Sequence, residues 1–374
     1  MQIDHAETLL HLATPKRVDP AEIELELTAM WAGLDDNAGD GATVTRAVMS
    51  NLLIYAQGEA EAAKAAEHIP ELVERHPARV IVLAAIDGMD GQLDAWVSAH
   101  CRRIDHQAQL CAEHIEVRFA PTGIHRAASL IRSLLIGDLP TALWWFHPAP
   151  PTFQPDLFDA LGAMSQQIIY DSVGWPEPQR AITSMARWVT ARKQTDDTVA
   201  FNLAWRRLKP WRRLLAQALA PCQAPGALRG LQRIDIRHGP NRLPSAWLLC
   251  AWLGSRLGWR LIDGKHQATR LSWRFQSTQG EVRVSIERIA EATSRIESID
   301  LRWQGTDGPG HARLHHAGHL LHVDPGQSTL PAMTVPFRSQ PVEVLIAAQL
   351  AHRAGDSLFK QAAGLAANMA DALG

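Results

Sequence analysis

Two short apolar runs separated by a helical stretch constrain this chain most. "TRAVMSNLLIYA", ending at Ala56, and "ARVIVLAAID", starting at Ala78, each read as a strand buried on both faces, while "EAEAAKAAEHIPELVERH" between them reads as a helix. A strand–helix–strand unit joins parallel neighbours, and a parallel sheet is covered by helices on both faces. "HIEVRFA" adds a strand in which Ile115, Val117 and Phe119 alternate with polar residues. Ala127, Leu130, Ile131, Leu134 and Leu135 then form a helical stripe, with Gly137 as its stop and Pro140 barring continuation. "TALWWF" follows as a further strand, then a short helix near 156–163, then the strand "QIIYDS". The first half is therefore expected to be α/β, a mostly parallel sheet with helices on both faces.

"GWPEPQ" breaks this pattern, and "KQTDDT" from Lys193 to Thr198 reads as a polar connector. These place a boundary near residue 175, giving a Rossmann-like domain over 1–175 and a second domain over 176–374. The second half opens with helices, including "KPWRRLLAQALAP". "LQRIDIRHG" is a strand, and "SAWLLCAWLGSRLG" is apolar on nearly all sides, as a buried helix would be. "ATRLSWRFQS", "EVRVSIERI", "SIDLRWQ", "HARLHHA" and "HLLHVD" alternate at hairpin spacing, so the expected fold is α+β with a mainly antiparallel sheet. Helices over Val342–Arg353 and Ser357–Ala372 close the chain. Of the 13 tryptophans, 11 fall between Trp144 and Trp303, which marks the second half as differently built.

A net charge of −2 gives no global pull toward nucleic acid or an anionic membrane. The start, "MQIDHAETLL", lacks a basic and apolar leader, and no run approaches a membrane span, so a cytoplasmic protein is expected. Its four cysteines form no CxxC and are expected to be reduced thiols; a redox-switched adaptor would have to use Cys101 and Cys111. Neither "QGEAEA" after the first strand nor "IDGMDGQ" after the second offers a GxGxxG turn or a GxxxxGK[ST] cradle, so no cofactor is expected. Asp171 and Ser172 in "YDSVGW" stand at a strand end, where α/β proteins hold ligands, or they turn the chain and cap the next element. His311, His315, His316, His319 and His322 crowd one predicted hairpin without diagnostic metal spacing, so no metal is expected.

"WRRLKPWRRLL" is the most informative cluster. Trp211, Leu214, Leu215, Ala218 and Leu219 form a clean apolar stripe behind Pro210. Arg206, Arg207, Lys209, Arg212 and Arg213 crowd what reads as the start of that helix, where the macrodipole favours acids. Two readings stand: the cations meet something anionic, or they form a solvated face paired with "KQTDDT".

"TRAVMSNLLIYA", "ERHPARVIVLAA", "CAEHIEVRFA", "SLLIGDLPTALWWF", "IIYDSVGW" and "NLAWRRLKPWRRLLAQAL" occur in an order that resembles the OpcA family, the glucose-6-phosphate dehydrogenase assembly proteins. The resemblance runs from about Thr45 to Leu219. It implies a non-catalytic partner that promotes assembly or allosteric activation of glucose-6-phosphate dehydrogenase in the oxidative pentose phosphate pathway. Trp144, Trp145, Asp171, Ser172, Trp205, Arg206, Pro210, Trp211 and Arg212 lie in family-like motifs, as interface or as core; the candidate partner or ligand contacts are Arg206, Arg207, Lys209, Trp211, Arg212, Arg213, Asp171, Ser172, Trp144 and Trp145. The alternative is an enzyme or sensor that clamps an anionic metabolite, a sugar phosphate or nucleotide, with Arg206–Arg213.

Overall fold

The computed structural model describes residues 9–12, 15–37, 43–103, 108–191, 198–290, 293–326 and 332–373. β1 (Leu9–Leu12) and β2 (Lys16–Val18) precede α1 (Ile23–Asn37). The first apolar run divides into β3 (Thr43–Arg46) and β4 (Ser50–Gln57), with Met49 exposed between them. The predicted long helix also divides, into α2 (Glu59–Glu67) and α3 (Ile69–Arg75), because Pro70 has no N–H to continue the ladder. β5 (Ala78–Ala85) is buried throughout.

β6 (Asp94–Arg103) and β7 (Ala108–Phe119) form an antiparallel hairpin. The sequence reading missed β6, and with it the register that sets Cys101 opposite Cys111. The expectation of four reduced thiols is corrected here: Cys101 and Cys111 are disulfide-bonded, with Cα atoms 4.0 Å apart, while Cys222 and Cys250 are free. Thereafter come α4 (Ile124–Leu134), β8 (Thr141–Trp145), α5 (Pro155–Gly162), β9 (Gln167–Tyr170), α6 (Pro178–Ala191) and β10 (Val199–Asn202).

The parallel part of this sheet runs β7-β5-β4-β8-β9-β10, so the chain starts at the centre, builds one way and then returns to build the other. This is the doubly wound order of a Rossmann fold. Period-two alternation sends Leu53, Tyr55, Leu143 and Trp145 into one core, and Leu52, Ile54, Ala142 and Trp144 into the other. The sheet takes its last strand, β10, from beyond the boundary expected at 175/176. Composition missed this strand because it is short and follows the polar connector.

α7 (Leu203–Arg207) and α8 (Lys209–Ala218) lead into the second sheet. β11 (Leu231–His238) and α9 (Leu243–Arg256) precede β12 (Arg260–Gln267), β13 (Arg270–Ser277) and β14 (Gly280–Arg288). β15 (Ile296–Gly305), β16 (Gly308–Ala317), β17 (Leu320–Asp324) and β18 (Met333–Pro336) complete it. Its order is β12-β13-β14-β11-β15-β16-β17-β18, antiparallel except where β11 meets β14.

α9 is buried along 244–254, as its all-round apolarity requires, and its Trp247 packs on Trp273 with ring centres 4.9 Å apart. α10 (Val342–Ala351) and α11 (Ser357–Asp371) end the chain. α11 covers the second sheet beside α9, whereas α10 returns to the first: its Leu345, Ile346 and Leu350 share a core with Trp144.

Candidate functional site

The basic segment is held by the C-terminal end of β9. Asn202 caps α7, its Oδ1 accepting from Ala204 N at 2.9 Å, and its Nδ2 donates to the buried Ser172 Oγ at 2.9 Å. Asp171 accepts from Val173 N (3.1 Å) and from Arg207 Nη1 (2.5 Å). Asp171 and Ser172 thus turn the chain, and they also fasten the cationic segment to the first sheet.

α7 ends at Arg207, which changes the dipole argument made from sequence. Arg206 and Arg207 occupy the last turn of α7, where cations are favoured, and only Lys209, Arg212 and Arg213 stand in the first turns of α8. Trp205 and Trp211 are buried; Trp205 Nε1 donates to Asp356 Oδ2 at 2.7 Å, and Asp356 also caps α11. Arg212 stacks on Trp205, its guanidinium carbon 3.5 Å from the ring centre, and burial lowers its pKa to about 10. Arg206 lies over Phe201 at 4.2 Å and is likewise lowered by burial, against the pull of Asp356.

α7 and α8 form one wall of an open cavity of about 570 Å³. Arg206, Arg207, Lys209 and Arg213 line it from this wall, and Arg242, Arg295 and Arg338 line it from three other loops. No Asp or Glu lines it among the described residues. Trp211, Ile296, Val335, Phe337 and Leu345 supply its apolar surface. His316 also lines it, with its ring centre 5.3 Å from Trp211 and 4.6 Å from Phe337. Burial, reinforced by Arg295, holds its pKa near 4 despite Glu297, so the ring is neutral at pH 7. Burial lowers Arg242 as well, with Arg207 adding to the effect and Asp171 opposing it.

The basic part of this site was legible in the sequence as one contiguous motif. Arg242, Arg295 and Arg338 were missed because each stands alone in its own loop. The polar connector proposed as the counter-charge lies outside the described residues, Thr198 excepted.

The sheet reverses its strand order between the ends of β4 and β8, the crevice where doubly wound folds receive ligands. Here partly exposed side chains bond to one another. Tyr55 OH donates to Gln154 Oε1 (2.6 Å), and Gln154 Nε2 donates to Gln57 Oε1 (2.8 Å). Glu61 accepts from Gln57 N at 2.8 Å and pairs with His147 at 3.0 Å. Gly58, at φ +82°, makes the turn, yet the first turn of α2 that follows carries Glu59 and Glu61. A phosphate placed at that helix start would meet carboxylates rather than free amides.

Trp144 and Trp145 are each only 2% exposed, one in each core. In the histidine hairpin, His315 stacks on His322 across the strands with ring centres 5.8 Å apart, while His316 turns to the cavity. Among the described residues, no group of three or more His, Cys, Asp or Glu is placed to hold a metal ion. No helix among them is long and apolar enough to cross a membrane.

Known proteins agree with the motif order. Residues 70–187 match the family described as the glucose-6-phosphate dehydrogenase subunit N-terminal domain, and residues 199–363 match its C-terminal domain. A protein of Nostoc punctiforme named for the OxPP cycle, OpcA, is 28% identical over 315 residues, covering 80% of this chain and 66% of its own length. Its namesake from Synechocystis is 27% identical over 194 residues, 51% of this chain and 39% of its own. The chain thus spans less than two thirds of either relative. Among solved structures, the transcriptional regulator Gal80p of Kluyveromyces lactis overlaps at a TM-score of 0.49 with 10% identity, over 88% of this chain and 93% of its own. The WlbA dehydrogenase of Thermus thermophilus overlaps at 0.44 with 13% identity, over 86% and 95%. Those overlaps are too loose to carry an argument. On both matched regions, the chain belongs to the OpcA family of glucose-6-phosphate dehydrogenase assembly proteins.

Proposed function

We propose that the chain is a non-catalytic, cytoplasmic partner of glucose-6-phosphate dehydrogenase that promotes its assembly or its allosteric activation in the oxidative pentose phosphate pathway. The observation that carries this reading is the set of side-chain bonds at the crevice. Tyr55 bonds to Gln154, and Glu61 bonds to His147 and to Gln57 N, at the position where a sheet of this order receives a dinucleotide. A Rossmann-type frame that sets carboxylates and its own side-chain pairs where a dinucleotide phosphate would sit is suited to act through its surface. Activation then requires only that the chain bind one state of the dehydrogenase more tightly than another.

The test uses the dehydrogenase of the same host, purified and assayed with and without this chain. The expected outcome is a complex on size exclusion, together with a change in oligomer size, KM or turnover. Absence of a complex with all three parameters unchanged would refute the proposal.

A further inference from the structure

We propose that the cavity between α7–α8 and the β18–α10 connection is a binding site for a small phosphorylated metabolite carrying at least two negative charges. Three independent observations carry this.

The first is unbalanced charge. Seven cations and no acid line the cavity. Two of them, Arg207 and Arg295, are paired with carboxylates, Asp171 at 2.5 Å and Glu297 at 3.0 Å. Lys209, Arg213 and Arg338 make no ion pair among the described residues. Like charges converging on one concavity repel, and a multivalent anion turns that repulsion into binding. The second is Ser245, which lines the cavity and is 3% exposed, with an Oγ that has no hydrogen-bond partner among the described residues. Buried hydroxyls are rarely left unpaired, and a phosphoryl oxygen is a fitting acceptor. The third is the apolar wall of Trp211, Phe337 and the neutral His316, which gives an organic body something to pack on. A volume of about 570 Å³ falls within the range of small-molecule sites and favours a compact metabolite over an acidic segment of another protein.

The inference stands apart from the dehydrogenase reading, because its test contains no dehydrogenase. The full-length chain is titrated by calorimetry with pyrophosphate, ADP and glucose 6-phosphate at matched ionic strength. At least one is expected to bind saturably at one site, and Lys209→Glu with Arg213→Glu is expected to weaken it by about tenfold or more. Both side chains are exposed, so the double variant should melt as the parent does. Should it fail to fold, Arg338→Glu, also at an exposed position, takes its place. Pyrophosphate binding alone would identify a phosphate-group site, and tighter binding of ADP or glucose 6-phosphate would identify the body that the apolar wall selects. No saturable binding of any probe at about 5 mM overturns the proposal. So does undiminished binding by the charge-reversed variant, or binding confined to an acidic peptide such as oligoglutamate.

Discussion

Arg79 and Glu113 form a buried ion pair between neighbouring strands, with Nε to Oε2 at 2.6 Å and side chains 3% and 0% exposed. The pair is the centre of a network. Arg79 also donates to Glu24 and to Leu134 O, and Glu113 accepts from Trp31 Nε1 (2.8 Å) and pairs with Arg46 (2.8 Å). Removing Arg79 leaves the buried Glu113 with only the half-exposed Arg46 and Trp31 as partners, at a cost of up to about 3–5 kcal/mol. Arg79→Ala is therefore expected to lose about that much in urea unfolding. Arg79→Met combined with Glu113→Leu should recover part of it, because no buried charge remains and the released Glu24 and Arg46 are solvated. A single-variant loss below about 1 kcal/mol would show that the network is solvated.

Two histidines of the same sheet set an acid limit. His114 lies beside Ser98 Oγ (3.2 Å) and His100 (3.4 Å); burial lowers its pKa to about 3, with His100 adding to the effect, and burial lowers that of His100 to about 4. Both are held neutral in the fold, whereas in the unfolded chain they take protons near their ordinary 6.5. The unfolded state thus binds more protons below 6.5, and stability falls as pH drops from there to about 4 for His100 and about 3 for His114. Each contributes up to about 1.4 kcal/mol per pH unit within its window and nothing above it. Urea midpoints between about pH 7 and about pH 5 should fall steeply for the parent and less for His100→Asn with His114→Asn. Equal slopes would remove these two rings as the cause.

Asp171 neutralises one of the cations that line the cavity, so its loss offers a test with the opposite sign to charge reversal. The Asp171–Arg207 pair is 32% and 20% exposed, and breaking it should cost no more than about 1 kcal/mol. Asp171→Asn removes one negative charge from beside the cavity, and phosphorylated probes are expected to bind a few-fold tighter, most clearly at low salt. Unchanged or weaker binding, with the melting temperature preserved, would mean that Arg207 does not face the ligand.

What could be read from the sequence followed from periodicity. β4, β5 and β8 are uninterrupted apolar runs because helices cover both of their faces, and α9 is apolar all round because it is enclosed. β6 escaped notice because the apolar positions that alternate with Ser98, His100 and Arg102 are mostly small (Ala95, Val97, Ala99 and Cys101), a weak strand signal. Ser98 and His100 are buried polar residues that meet His114 of β7, a partner local sequence cannot reveal. The cavity was half legible for the same reason. Arg206, Arg207, Lys209 and Arg213 are contiguous and were visible, but Arg242, Arg295 and Arg338 converge with them only through the tertiary fold.

Trp144 and Trp145 give the most direct check on the interior so described. Trp145 packs on Tyr55 with ring centres 4.2 Å apart and donates Nε1 to Ala149 O at 2.9 Å. Trp144 packs on Phe146 and His68 on the opposite face, at 5.2 and 5.8 Å. Truncating either indole to alanine opens a cavity that two rigid layers cannot close, at about 3–5 kcal/mol each. Trp145→Phe keeps a ring in place but leaves Ala149 O without its donor, costing about 1–3 kcal/mol. Because the indole is 2% exposed, folded Trp145→Phe is expected to leave the proposed complex with the dehydrogenase unchanged. A variant that melts normally but loses the complex would move Trp145 from the core to the interface.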